Sequence, residues 1–86
     1  MAYDVAYSKR ADKDLDALPN GAGNDLRRTL ESYAADPLGF RCDVKKLLGH
    51  KNRFRIRRGN YRVIFDKNEK ERRFEVQSAS DRKDIY

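Results

Sequence analysis

The sequence predicts an α+β domain. A short N-terminal strand leads into an antiparallel two-helix hairpin, which packs on one face of a small antiparallel β-sheet, in the order β-α-α-β-β-β. Three observations carry this expectation. Residues 3–7 alternate apolar and polar, residues 8–35 hold two apolar stripes at helical spacing, and residues 53–79 hold three strand-like runs broken by turn residues. At 86 residues the chain is a single domain, 1–86, with a small core.

The first strand places Tyr3, Val5 and Tyr7 on one face. Ser8 is a good N-cap, since its hydroxyl can accept from the unpaired amides of the first turn, and Ala11, Leu15 and Leu18 then recur on one side of a helix. Pro19 and the stretch "NGAGN" end that helix. The second helix is expected to begin near Gly21–Asn24, with Ala22, Leu26, Leu30 and Tyr33 as its apolar stripe. Asp36-Pro37 stops it, because the residue before proline is pushed out of the α region.

Residues 38–48 read as a connection, with Phe40, Val44, Leu47 and Leu48 available to plug the core edge, and Gly49 marks a turn. Strands follow at 53–58, 61–67 and 72–79. Gly59-Asn60 between the first two suits the positive φ of a primed hairpin turn, and 66–71 forms the next turn. That turn fixes the register. Arg58 faces Tyr61, so Ile56 opposes Val63 and Phe54 opposes Phe65 on the core face, with Tyr61 and Phe65 as core rings. On the other face Arg57 opposes Arg62, Arg55 opposes Ile64 and Arg53 opposes Asp66.

Charge sharpens this pattern. The net charge is +6, but residues 1–40 hold five basic and seven acidic side chains while residues 41–86 hold fifteen and seven, a half-chain charge of +8. From Val44 to Phe65 there are eight basic side chains and no acid. Like charges directly opposite each other on a sheet are destabilising, so a row containing Arg57 and Arg62 implies a cationic patch kept for a polyanionic partner. The single cysteine, Cys42, excludes an internal disulfide and reads as a small buried or semi-buried apolar residue, and no Cys/His cluster suggests a metal. No cofactor is expected. No apolar run reaches membrane-spanning length and residues 1–10 lack a signal-peptide core, so a cytoplasmic protein without membrane attachment is expected.

The stretches "KKLLG" (45–49), "FRIRRGNYRVIF" (54–65) and the terminal "SDRKDIY" resemble the RelE/ParE superfamily of toxins from toxin–antitoxin pairs, and the resemblance covers essentially the whole chain. It implies the same small α+β fold and, closest to the RelE-like members, a ribosome-dependent mRNA endonuclease working in the A site through attack of a ribose 2′-OH on the adjacent phosphate. Carried over by position, the catalytic set falls on Arg55, Arg57, Arg62, Arg82 and Tyr86. Lys45, Lys46, Lys51, Arg53 and Lys83 would extend the nucleic-acid-binding surface, although Arg53 and Lys83 also read as plain solvated side chains. The implied partners are the ribosome with its mRNA and a cognate antitoxin whose acidic and apolar segment wraps the domain, in a higher-order toxin–antitoxin assembly. The alternative within the superfamily is a ParE-like DNA gyrase inhibitor without nuclease activity. A third reading is a binding partner whose main state is the antitoxin complex.

The chemistry of such a cleavage can be stated from the residues. A proton must leave the 2′-OH, the extra negative charge of the pentacoordinate phosphorus must be stabilised, and the leaving 5′-oxygen must be protonated. Forked guanidiniums match phosphate oxygens, which suits Arg57, Arg62 and Arg82 to the second task. Tyr86 can serve as base if surrounding arginines favour its phenolate. The strand positions where lysine is typical carry arginine here (Arg55, Arg57), and arginine does not give up its proton, so the general acid is unassigned. His50, the single histidine, falls outside the predicted strands and reads as a loop residue.

Overall fold

The structure is a computed structural model and describes residues 2–81. Its elements are β1 (Asp4–Tyr7), α1 (Lys9–Ala17), α2 (Ala22–Ala35), β2 (Asp43–Lys46), β3 (Arg53–Arg58), β4 (Tyr61–Asn68) and β5 (Arg73–Ser80). Ser8 caps α1 as its sequence position suggests, its Oγ accepting from the Ala11 amide at 3.0 Å. Both helices bury the predicted stripes: Ala11 and Leu15 from α1, and Ala22, Leu26 and Leu30 from α2, are buried, with Leu18 and Tyr33 half-buried at the margin. Gly23 sits where the two helices touch. A Cβ there would collide with the Leu15 carbonyl, so only glycine permits this approach.

The strands form one five-stranded sheet in the order β1-β5-β4-β3-β2. Three of its four pairings are antiparallel, but β1 pairs with β5 in parallel, Asp4 beside Arg73 and Tyr7 beside Val76, so the sheet is mixed rather than antiparallel. The helical hairpin is the crossover that makes a parallel return possible. A second difference concerns the connection: Asp43–Lys46 is a strand on the β3 edge, not a loop, with Val44 opposite Ile56. Its four residues contain one half-buried apolar side chain, too little alternation to read as a strand. β4 runs one residue beyond the expected strand end, through Asn68, whose side chain accepts the Glu71 amide and closes the turn, and β5 begins one residue later, at Arg73.

The β3–β4 register is the one read from the sequence, Arg58 to Tyr61 through Arg53 to Asp66. Gly59 has φ +61° while Asn60 does not have positive φ, as in a II′ turn with glycine at its first central position. Phe54, Ile56, Val63 and Phe65 face the helices with Phe74 and Val76 of β5, and Tyr61 packs at the edge of the same cluster. The rings run across the strands: Tyr3 stacks on Phe74 (4.7 Å), Phe74 meets Phe65 (4.6 Å), and Phe65 meets Phe54 (5.8 Å). Beyond the point where β1 ends, the Ala79 amide of β5 loses its strand partner and donates instead to Asp14 Oδ2 of α1 at 3.1 Å. This bond and the one from Ser8 Oγ to the Gln77 carbonyl seat α1 beside an irregularity in the β4–β5 ladder.

Candidate nucleic-acid interface

The face of the sheet turned away from the helices carries the arginines. Alternation puts Arg53, Arg55 and Arg57 of β3 there, beside Arg62, Ile64 and Asp66 of β4 and Asp43 and Lys45 of β2. Arg57 and Arg62 are direct cross-strand partners, as the register predicts.

The face is not a uniformly open cationic patch, and in three respects it differs from the expected one. Arg62 is only 9% exposed and Ile64 6%, because β4 is the middle strand and the side chains of both neighbouring strands shield it. Arg55 is held rather than free, its side chain 14% exposed and its Nη1 donating to both Oδ1 (3.0 Å) and the carbonyl (3.3 Å) of Asp43. Arg53 is paired and partly exposed, its Nε and Nη2 binding the two oxygens of Asp66 at 2.7 and 3.0 Å. Arg57 is the exposed member of the set at 47%, with Nε 3.1 Å from Asp43 Oδ2. Asp43 thus bridges two guanidiniums, one on each carboxylate oxygen. The hydrogen bond from Arg55 and the charges of Arg55 and Arg57 hold its carboxyl below the usual range.

A cleft of about 390 Å³ opens between the segment after β2 and the arginine rows. Lys45, Lys46, Leu47, Leu48, His50, Arg55 and Arg62 line it. A smaller recess of about 370 Å³ adjoins it through Arg62 and is lined also by Arg57, Tyr61 and Asp81. Among the candidates, Lys45, Lys46, Arg55, Arg57 and Arg62 are therefore brought together. Lys51 and Arg53 are not: they line a neighbouring depression of mixed charge with Asp66, Lys67 and Glu75, which adjoins the cleft at His50. Arg82, Lys83 and Tyr86 lie outside the described residues.

The sequence reading missed two residues of this site. His50, taken as a loop residue, lies in the cleft with Arg55 and Arg62. Asp43, just outside the acid-free stretch, supplies the counter-charge within it. The signal for His50 was chemical: it is the single side chain of its type, five residues from Arg55, in a site otherwise made of groups that do not exchange protons near neutrality. Three of the tyrosines are set against base chemistry. Burial and a 2.7 Å bond to Glu31 push the Tyr7 phenol up, the bond to Glu69 does so for Tyr3, and burial does so for Tyr33. Burial likewise pushes the Cys42 thiol up, consistent with a packing role.

No family model and no curated protein matches the chain. Solved structures do. The RelE–RelB complex of Pyrococcus horikoshii contains a chain superposing with TM-score 0.77 at 27% identity, over 99% of this chain and 100% of that one. The RelBE2 toxin–antitoxin complex of Mycobacterium tuberculosis gives 0.77 at 21%, over 95% and 100%. The intact RelBE toxin–antitoxin complex of Escherichia coli gives 0.74 at 21%, over 92% and 95%.

Proposed function

We propose that the chain, whose fold is that of the RelE toxins in these complexes, is the toxin of a toxin–antitoxin pair that cleaves mRNA on the ribosome. The observation that carries this reading is the cleft that His50, Arg55 and Arg62 line together, with the half-exposed Arg57 in the adjoining recess. This arrangement combines rigidly held phosphate ligands with a group able to exchange a proton. A gyrase-directed binder has no chemical need for the second component.

In this reading Arg57 and Arg62 donate to the non-bridging oxygens of the scissile phosphate and stabilise the charge that grows on them during attack. Arg55, clamped by Asp43, contributes a fixed positive field beside them. His50 gives its proton to the departing 5′-oxygen, while the proton of the attacking 2′-OH passes to Tyr86, the base implied by the family resemblance. The products are a 2′,3′-cyclic phosphate and a 5′-hydroxyl. Arg82 adds a further phosphate ligand by the same resemblance. Lys45 and Lys46, lining the cleft, hold the flanking backbone.

The partner proposed for the resting state is an antitoxin of the RelB type, as in the complexes of the structural relatives. An acidic and apolar segment suits this chain, since Leu38 and Leu48 are almost fully exposed large apolar side chains and Leu48 stands beside the basic cleft. Among the described residues no helix is long and apolar enough to cross a membrane; the location that goes with the proposed action on translating ribosomes is the cytoplasm.

Inducing the chain in cells while following mRNA integrity and plasmid supercoiling in parallel tests the reading. Cleaved transcripts with normal supercoiling are expected; intact transcripts with collapsed supercoiling would replace it with gyrase inhibition. For the assigned acid, His50→Gln should lower cleavage by about 100-fold, the lower end for general acid catalysis, with RNA affinity unchanged.

A further inference from the structure

Asp43 is the one acid that interrupts the arginine rows from the β2 edge, and its geometry is that of a ligand. Oδ1 accepts from Arg55 and Oδ2 pairs with Arg57 Nε at 3.1 Å, so one negative charge shared over two oxygens spans two guanidiniums two residues apart on one strand. A phosphodiester offers the same thing: two non-bridging oxygens sharing one negative charge. The two ends of the bridge differ. Arg55 is nearly buried and also bound to the Asp43 carbonyl, whereas Arg57 and the carboxylate itself are 47% and 43% exposed. An exposed ion pair is weak and readily exchanged, while a buried one with a second hydrogen bond is not.

We propose that the Asp43 carboxylate is a tethered stand-in for substrate phosphate, holding the arginine rows together in the free protein and giving up Arg57 when a nucleic-acid phosphate arrives. The residue has two consequences at once. Without an anion, Arg55, Arg57 and Lys45 crowd one another across β2 and β3, Lys45 being the direct partner of Arg55, so the carboxylate supports the fold. With nucleic acid bound, the same carboxylate competes with it and repels it. Asp43 therefore sets a threshold: an isolated weak anion does not displace it, whereas a strand that also engages Lys45, Lys46 and Arg62 does. This inference rests on the nucleic-acid reading of the cleft and adds to it a residue that opposes binding.

The test uses the full chain and a short single-stranded oligoribonucleotide made uncleavable by 2′-O-methylation. Dissociation constants are measured across a salt series for wild type, Asp43→Asn and Asp43→Glu, alongside the melting temperature of each. Asp43→Asn is expected to melt lower yet bind about 3- to 10-fold tighter, with a salt slope steeper by about 0.7, the value for one more neutralised phosphate on a single strand. Asp43→Glu keeps the anion, folds if the asparagine variant does not, and is expected to bind more weakly than Asp43→Asn and within about twofold of wild type. Adding Arg57→Gln to Asp43→Asn should abolish the gain. Equal or weaker binding by Asp43→Asn at an unchanged slope overturns the stand-in while leaving the nucleic-acid reading intact, as does tight binding by Asp43→Glu if Asp43→Asn is unfolded. Absence of binding by every variant overturns both.

Discussion

On one face of the sheet Tyr3, Phe74, Phe65 and Phe54 form a row of rings under the helices; on the other, one residue along each strand, stand the ion pairs and arginines. Both rows come from the same strands by alternation, yet different forces hold them. The ring row gains from removing apolar area from water, at about 25 cal/mol per Å², and tolerates no change of volume. The charged face contains three like-charge cross-strand pairs, one acidic, Asp66 with Glu75, and two basic, Arg57 with Arg62 and Lys45 with Arg55. The acidic pair is balanced locally, each carboxylate holding its own arginine, Arg53 for Asp66 and Arg73 for Glu75. At the basic pairs, Asp43 divides itself between Arg57 of one and Arg55 of the other. One arginine for each carboxylate at one end, and one carboxylate shared by two arginines at the other, is what distinguishes the two ends of this face.

The largest expected effect breaks the ring row. Phe65→Ala removes a fully buried ring that touches Phe54 and Phe74, and should cost about 3–5 kcal/mol in urea denaturation. Arg57→Ala, one row over and half-exposed, should change stability by no more than about 1 kcal/mol. Comparable losses from the two substitutions would mean that the faces do not divide the work in this way.

Arg57→Ala should be felt in activity instead. Losing a donor aimed at the charge of the transition state lowers cleavage by about 100- to 1,000-fold, equivalent to about 2.7–4 kcal/mol. Single-turnover cleavage on programmed ribosomes measures this, with the β3–β4 hairpin intact by circular dichroism. Unchanged cleavage would remove Arg57 from the site and leave it as a partner of Asp43 alone.

What the sequence disclosed follows the same division. The hairpin register, the helix stripes and the cap at Ser8 were legible because each is set by neighbours within a few residues: a Gly-Asn turn, a period, a hydroxyl before a helix. The parallel β1–β5 pairing was not, since nothing local states which sheet edge an N-terminal strand will join. Residues 43–46 hid as a strand because an exposed edge needs only Val44 to face inward. The arginine row was legible as a row, but its compensation was not: Asp43 lies on another strand, and alternation alone does not reveal that the middle strand of a meander is shielded enough to bury Arg62.

Acid should separate the two ends of the charged face more gently. Arg55 and Arg57 lower the Asp43 carboxyl, and Arg73 with Asn68 lowers that of Glu75. A carboxyl depressed in the folded state contributes stability that is fully present above its unfolded pKa, about 3.9 for Asp and 4.3 for Glu, and is lost as pH falls through the folded value. Urea midpoints should therefore fall as pH drops below the unfolded carboxyl range. Asp43→Asn should flatten part of that fall and Glu75→Gln another part, additively, because the two ion pairs share no residue. A curve that Asp43→Asn leaves unchanged in shape would show that the bridge to Arg55 and Arg57 contributes nothing in solution.

The smallest effect belongs to Arg53, the arginine whose charge is already spent. Its fork occupies both oxygens of Asp66, it borders the mixed-charge depression rather than the cleft, and its partner stands opposite Glu75. Arg53→Ala leaves Asp66 and Glu75 facing each other with one compensating cation fewer, so a loss of stability of about 1 kcal/mol is expected, the upper end for a partly exposed pair. Cleavage should stay within about twofold of wild type, since no donor is removed from the cleft. Arg53→Ala together with Asp66→Asn should recover most of the lost stability, because the second change removes the carboxylate that the first left unbalanced. A large loss of cleavage with stability intact would instead extend the site across the whole charged face, and the line drawn between its two ends would have to move.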